Sequence, residues 1–252
     1  MPATLETHQG PIAYHRQAGG AYTVIFCPGF NSSMHGNKAL ALGDYCAKLG
    51  LEYIRFDYRG TGDSAGDFAD GSITAWLHDT VSIIDQLASH KVILVGSSMG
   101  GWLSLLAALK RPTMVKGVLL IACAADMTTY YSQKTARLPA QEDSFGRRYY
   151  WGSHTVDNEQ PYRIYQSLLD DGTQYTLLNE PIELSMPIGV LHGKKDDVVP
   201  WQRSQEVIDQ LCSTDINAQW VSDGDHRLSR PQDLELMTTA LDDLLSSAKA
   251  NA

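Results

Sequence analysis

The chain has 252 residues, 43% of them apolar and 19% charged, with a formal net charge of −9. That length supports one domain over residues 1–252 with a sizeable core, and Gly and Pro are spread too evenly to mark a linker, repeat or low-complexity tract. The acidic balance excludes nucleic acid or an anionic membrane surface as the main partner, since both need a basic face, and leaves a small neutral or cationic substrate.

The first eight residues hold neither a basic flank leading into an apolar run nor an Arg-rich presequence, and nowhere do 18 apolar residues run uninterrupted. A cytoplasmic protein without a membrane span is therefore expected. Ile12 and Tyr14 alternate with Ala13 and His15, Gly19 and Gly20 offer a turn, and residues 22–27 read as a buried strand ending at Pro28-Gly29, so an opening hairpin is expected. Leu42, Tyr45, Cys46 and Leu49 then keep helical spacing, Gly50 stops that helix, and a strand follows over 51–57.

After a glycine-rich loop over 58–66, Leu77, Val81, Ile84 and Leu87 mark a second helix, and residues 91–95 a short apolar strand. A helix over 99–109, strands over 115–124 and 187–191, a helix over 201–211 and a strand over 218–221 continue the alternation. Leu234, Met237, Leu241 and Leu244 place one apolar stripe on a closing helix after Pro231. Strands alternating with helices, several too apolar to face water on either side, predict an α/β fold: a mainly parallel central sheet covered by helices on both faces.

Residues 126–184 break this rhythm. They hold no clear strand, yet Tyr130, Tyr131, Phe145, Tyr149, Tyr150, Trp151, Tyr162, Tyr165 and Tyr175 crowd there. The segment reads as a cap inserted into the domain. Its aromatics either wall an apolar substrate pocket, with Tyr149, Tyr150 and Trp151 as candidate lining, or form a small core of the cap itself. Cys27, Cys46, Cys123 and Cys212 lie far apart with no CxxC spacing, which predicts reduced core thiols rather than a zinc site or disulfides.

Gly96-Ser97-Ser98-Met99-Gly100 matches G-x-S-x-G where an apolar strand runs directly into a helix, the context in which a sharp turn exposes a serine hydroxyl. The helix N-terminus behind Ser98 favours developing negative charge. A serine is too weak an acid to attack unaided; it needs a base within reach, and that base needs an orienting partner. In the α/β-hydrolase fold, which this elbow resembles, nucleophile, acid and base follow in that order. Of eight histidines, His226 lies in a polar loop between the last strand and the last helix, where the base belongs. Asp196 and Asp197 both stand at the end of a core strand, and either carboxylate could hold the imidazole. His192 is read as shaping that turn, residues 57–63 as a glycine-dependent turn, and no third ligand stands near enough to His192 and Asp196 to suggest a metal.

The string His192-Gly193-Lys194-Lys195-Asp196-Asp197-Val198-Val199-Pro200 is similar to the H-G-x-x-D-x-x-V-P signature of many α/β-hydrolases. That resemblance implies Asp196 as the acid and leaves Asp197 to cap the following loop or helix. Together with Pro28-Gly29-Phe30, Arg55-Phe56-Asp57-Tyr58, Gly96 to Trp102, Ser213-Thr214-Asp215 and Asp225-His226-Arg227, it makes the chain resemble the palmitoyl-protein thioesterase and mycophenolic acid acyl-glucuronide esterase group over nearly its whole length. The resemblance implies a serine hydrolase cleaving acyl thioesters or carboxylic esters of small molecules or acylated proteins, without metal or cofactor. Ser98 would be the nucleophile, His226 the base and Asp196 its orienting acid, with the amides of Met99 and Phe30 as oxyanion hole. Pro28-Gly29 stands where many relatives have His-Gly. A carboxylesterase for short or aromatic esters is the alternative among enzymes, and a ligand-binding protein that keeps the fold is the alternative outside them.

Overall fold

The structure, a computed structural model, describes residues 2–152 and 162–250. The first half runs β1 (Ala3–Leu5), β2 (Ile12–Gln17), β3 (Gly20–Cys27), α1 (Asn37–Leu49), β4 (Leu51–Phe56), α2 (Ile73–Leu87), β5 (Lys91–Ser97), α3 (Met99–Lys110) and β6 (Val115–Ile121). There follow α4 (Met127–Thr135), β7 (Gln141–Glu142), β8 (Arg148–Trp151), β9 (Arg163–Tyr165) and α5 (Gln166–Gly172). The chain then returns with β10 (Ile188–Gly193), α6 (Gln202–Gln210), β11 (Ile216–Val221) and α7 (Pro231–Ala250).

Eight strands form one sheet in the order β1-β2-β4-β3-β5-β6-β10-β11. From β4 to β11 every neighbouring pair is parallel, and β1 and β2 add an antiparallel edge. Alternation along each strand explains why the central ones are apolar throughout. Ile25, Leu94 and Leu120 point to the face covered by α2 and α3, whereas Val24, Phe26, Ile93, Val95, Leu119 and Ile121 point to the face covered by α1 and α7. Each such side chain, fully buried, contributes roughly 1.5–3 kcal/mol. The helices end as their sequences dictate: Ser72 accepts a hydrogen bond from the Ala75 amide at the start of α2, and Gly50 closes α1 at φ +67°.

Two expectations are corrected here. The opening hairpin does not form, because β4 lies between β2 and β3. Gly19 serves that crossing: a Cβ on it would lie 2.1 Å from the Leu51 carbonyl carbon, so only glycine lets the chain pass over the start of β4. And Cys212 is exposed, whereas Cys27, Cys46 and Cys123 are buried thiols.

The segment after β6 contains strands that its sequence did not announce. β7, β8 and β9 form an antiparallel sheet in which Tyr149 pairs with Tyr165 and Trp151 with Arg163. Residues 153–161 of this segment lie outside the described residues. Polar ties hold it to the rest of the molecule. Thr74 Oγ1 donates to Asp171, and Arg147 reaches Asp67 at 2.9 Å and Asp70 at 3.2 Å, while within the segment the Asp126 carboxylate accepts from the Leu177 and Leu178 amides. Among the described residues no helix is long and apolar enough to cross a membrane.

Because β3, β5, β6, β10 and β11 are parallel, the loops that leave their C-terminal ends share one edge of the sheet. Ligands of open α/β sheets bind at that edge, and the loops carrying Phe30, Ser98, Asp196 and His226 leave it.

Candidate active site

Ser98 occupies the single residue between β5 and α3 with φ +54° and ψ −119°. For a residue with a Cβ this backbone costs about 1–3 kcal/mol, and the surroundings must hold it. They do so through the Ser98 amide, which donates to the Ile121 carbonyl at 2.8 Å, and the Ser98 carbonyl, which accepts from the Gly101 and Ala124 amides. Glycine is required on both sides. A Cβ on Gly96 would lie 2.3 Å from the Gly100 carbonyl oxygen, and one on Gly100 only 2.0 Å from that of Cys27.

His226 follows β11 and brings its Nε2 to 3.2 Å from Ser98 Oγ, while its Nδ1 lies 2.7 Å from Asp196 Oδ2. An ionised carboxylate only accepts, so Nδ1 carries the ring proton and Nε2 is left to accept from the serine hydroxyl. Asp196 follows β10 with its side chain wholly buried. Its Oδ1 accepts from the Val198 amide at 2.9 Å and the Val199 amide at 2.7 Å. Burial alone would raise this carboxyl, yet hydrogen bonds from His192 and His226, with the His226 charge and the Val199 amide, hold it well below the usual carboxylate range.

The neighbouring Asp197 is exposed. It does not cap the loop as expected; Asp196 Oδ1 does so while Oδ2 faces the imidazole. The turn over 57–63 is built on glycine, with Gly60 at φ +73° and Gly62 at φ +49°, around a buried Asp57 that accepts from the Met34 and Asp63 amides. Cys27 lies beneath the elbow, where burial pushes its thiol up to about 12 and leaves it unreactive.

A cavity of about 1330 Å³ opens over Ser98 and His226. Phe30 lines it, in the loop after β3, and Gly29 stands so close to the elbow that a Cβ there would meet Ser98 Cβ at 3.3 Å. The far wall is aromatic, but not with the residues expected. Tyr149, Tyr150 and Trp151 are absent from the lining, whereas Tyr130, Tyr131, Tyr162 and Tyr165 form part of it. The reason is packing in and around the three-stranded sheet. Tyr149 is buried against Ala69 and Tyr165, and Tyr150 against Ile164 and Leu169. Trp151 stays 42% exposed, edge-on to Tyr149 with the Arg163 guanidinium 5.6 Å from its ring. For Tyr149 and Tyr150 the small-core alternative describes what is found, and Trp151 belongs to neither the pocket nor a core.

The lining also carries the charged residues Lys38, Arg203, Glu206 and Arg227, none of them given a site role from the sequence. His192 was also read too narrowly. It is fully buried, and its Nε2 lies 2.9 Å from Asp196 Oδ2, the same oxygen that faces His226. The clue in the sequence was its place four residues before Asp196 at the end of an apolar strand.

The sequence profile of the alpha/beta hydrolase family matches residues 24–235. The palmitoyl-protein thioesterase ABHD10, mitochondrial, of Bos taurus is 39% identical over 236 residues, covering 93% of this chain and 76% of that protein. The solved structure of alpha/beta hydrolase domain-containing protein 10 from mouse superposes with a TM-score of 0.86 at 35% identity, covering 98% of each chain. That of a putative hydrolase from Agrobacterium vitis S4 gives 0.83 at 31% identity, covering 97% of this chain and 98% of the other.

Proposed function

The chain belongs to the alpha/beta hydrolase family and is a hydrolase, and from that premise we propose that it cleaves acyl thioesters and carboxylic esters through a Ser98–His226–Asp196 triad. The observation that carries this reading is the continuous hydrogen-bond path from Ser98 Oγ through His226 to a buried Asp196, at the mouth of a large cavity. Ser98 Oγ attacks the acyl carbon as His226 Nε2 takes its proton, and Asp196 stabilises the imidazolium that results. The oxyanion of the tetrahedral intermediate sits between the amides of Met99, at the start of α3, and Phe30, on the loop beside Gly29. His226 returns the proton to the departing thiolate or alkoxide, leaving an acyl-Ser98. A water, deprotonated by His226, then attacks the acyl carbon and releases the acid.

The cavity exceeds the roughly 300–1,000 Å³ common for small-molecule sites, enough for an acyl group together with its leaving group. The relatives' name speaks for S-acyl groups such as palmitoyl. One observation favours the second reading, a carboxylesterase for aromatic esters. Tyr131 and Tyr162 place their hydroxyls 2.9 Å apart in the cavity wall, and a pair bonded to each other keeps one O–H proton for an oxygen on the ligand.

A matched panel of oxygen esters and thioesters, acetyl to palmitoyl with an aromatic series beside them, tests this. The proposal expects kcat/KM to favour thioesters and to rise with acyl length. Preference for short or aromatic oxygen esters assigns the carboxylesterase, and absence of turnover on the entire panel overturns both.

A further inference from the structure

Asp196 Oδ2 faces two imidazoles. His226 Nδ1 lies 2.7 Å away and His192 Nε2 2.9 Å away. The Nε2 of His192 also lies 3.0 Å from the Val199 carbonyl oxygen, so both its neighbours are acceptors and Nε2 must carry a proton. On the other side of the ring, Nδ1 lies 2.7 Å from Ser204 Oγ, and Ser204 is itself buried on α6. The Ser204 hydroxyl, which can donate or accept, gives Nδ1 its partner in that buried site. The proton on Nε2 is thus fixed by the two acceptors it faces.

We propose that His192 is a positioning residue for the triad acid: its Nε2–H occupies one acceptor position of Asp196 Oδ2 and confines the His226 Nδ1–H to the other. A carboxylate oxygen with two acceptor directions and one donor lets that donor wander between them. With the backbone amides of Val198 and Val199 on Oδ1 and two imidazoles on Oδ2, all four acceptor positions of Asp196 are filled. The imidazole of His226 is then held in the one orientation that aims Nε2 at Ser98. Hydrogen-bond partners behind metal-ligating side chains fix orientation and tune basicity, and the same physics applies to a donor on a carboxylate. The His192 donor also draws charge from Asp196, which limits how strongly that carboxylate stabilises protonated His226. Among the described residues, His192 and His226 are the titratable groups in hydrogen-bond contact with Asp196. The inference rests on the triad proposed above.

Two substitutions separate this role from simple shaping of the turn. In His192→Gln the side-chain amide reaches the place of Nε2 and keeps a donor on Asp196. In His192→Asn it reaches only the place of Nδ1, keeping a partner for Ser204 and losing the donor. Melting temperature checks folding, and Ser98→Ala is run beside them. The expected result is a loss in kcat of roughly 10- to 100-fold for His192→Asn with KM unchanged, and near wild-type kcat for His192→Gln. The acid limb of the pH profile of kcat/KM moves to higher pH in His192→Asn, because a carboxylate stripped of one donor favours protonated His226, and stays in place in His192→Gln. Ser204→Ala, a milder change, moves that limb the same way by less. Equal losses in the two histidine variants with an unmoved acid limb would overturn the inference, as would wild-type behaviour of both. So would an unmoved limb in Ser204→Ala if neither histidine variant folds. Turnover surviving in Ser98→Ala would sink the triad itself, a different outcome from wild-type His192 variants beside an inactive Ser98→Ala.

Discussion

Adjacent in sequence, Asp196 and Asp197 leave β10 into opposite environments, and the difference decides which of them can serve His226. A carboxylate fixes the tautomer of an imidazole only when it is bonded to it, and Asp196 lies 2.7 Å from Nδ1 while Asp197 is exposed. Asp196→Asn is expected to lower kcat by about 10⁴-fold, the scale seen when a triad acid becomes an amide. Asp197→Asn should change it little; comparable losses in steady-state assays would contradict the assignment. The same carboxyl makes a pH prediction for stability. Held below its ordinary value in the folded protein, it contributes stability that is fully present above the unfolded value of about 4 and lost as pH falls towards the folded value. The melting temperature of wild type should therefore exceed that of Asp196→Asn at neutral pH, with the gap narrowing below pH ~4; a gap constant down to acid pH would refute this. That Ser98, His226 and Asp196 come together was legible, because a nucleophile, acid and base were expected at places in the chain order of the fold, and the three lie within hydrogen-bond reach. His192 was less so, because a histidine in an apolar strand has no readable role until the following loop, with Asp196 and Val199, and α6, with Ser204, are folded back onto it.

The β5–α3 elbow was readable because its demands are local: an apolar strand, glycines that clear the turn, and a helix. β8 was not. A half-exposed strand announces itself by alternation, but Tyr149 and Tyr150 point to opposite faces and both are buried, one against Ala69 and Tyr165, the other against Ile164 and Leu169. With the pattern gone, neither the strand nor the direction of its aromatics could be inferred, and the lining falls instead to Tyr130 and Tyr131 on α4, Tyr162 just before β9 and Tyr165 at its end. The consequence for specificity is testable. Replacing Tyr131 and Tyr162 together by Phe removes both hydroxyls of the pair, and the loss of one hydrogen bond to the ligand, about 0.5–1.5 kcal/mol, should lower kcat/KM for an aromatic ester with a ring oxygen by roughly 2- to 12-fold while sparing a butyryl ester. Trp151→Ala, at an exposed position off the cavity, should leave the preference among acyl groups unchanged. A shift in chain-length preference in Trp151→Ala would place that residue at the substrate after all.

Across the molecule, the order of strands follows from chain crossings that a linear reading misses, which is why β2 pairs with β4 instead of closing a hairpin onto β3. What the apolar periodicity did carry is the parallel sheet, and that alone brings the loops after β3, β5, β10 and β11 to one edge. Four residues far apart in sequence, Phe30, Ser98, Asp196 and His226, are gathered there by topology, and the segment between β6 and β10 adds Tyr130, Tyr131, Tyr162 and Tyr165 to the cavity lining. The account stands on Ser98 as the group that takes up the acyl chain. Its most direct test is to treat the protein with a fluorophosphonate, digest it, and locate the adduct by mass spectrometry, with Ser98→Ala and Ser97→Ala in parallel. The account predicts one adduct, on Ser98, formed in wild type and in Ser97→Ala and absent from Ser98→Ala; an adduct on Ser97, or labelling and turnover that persist in Ser98→Ala, would contradict it.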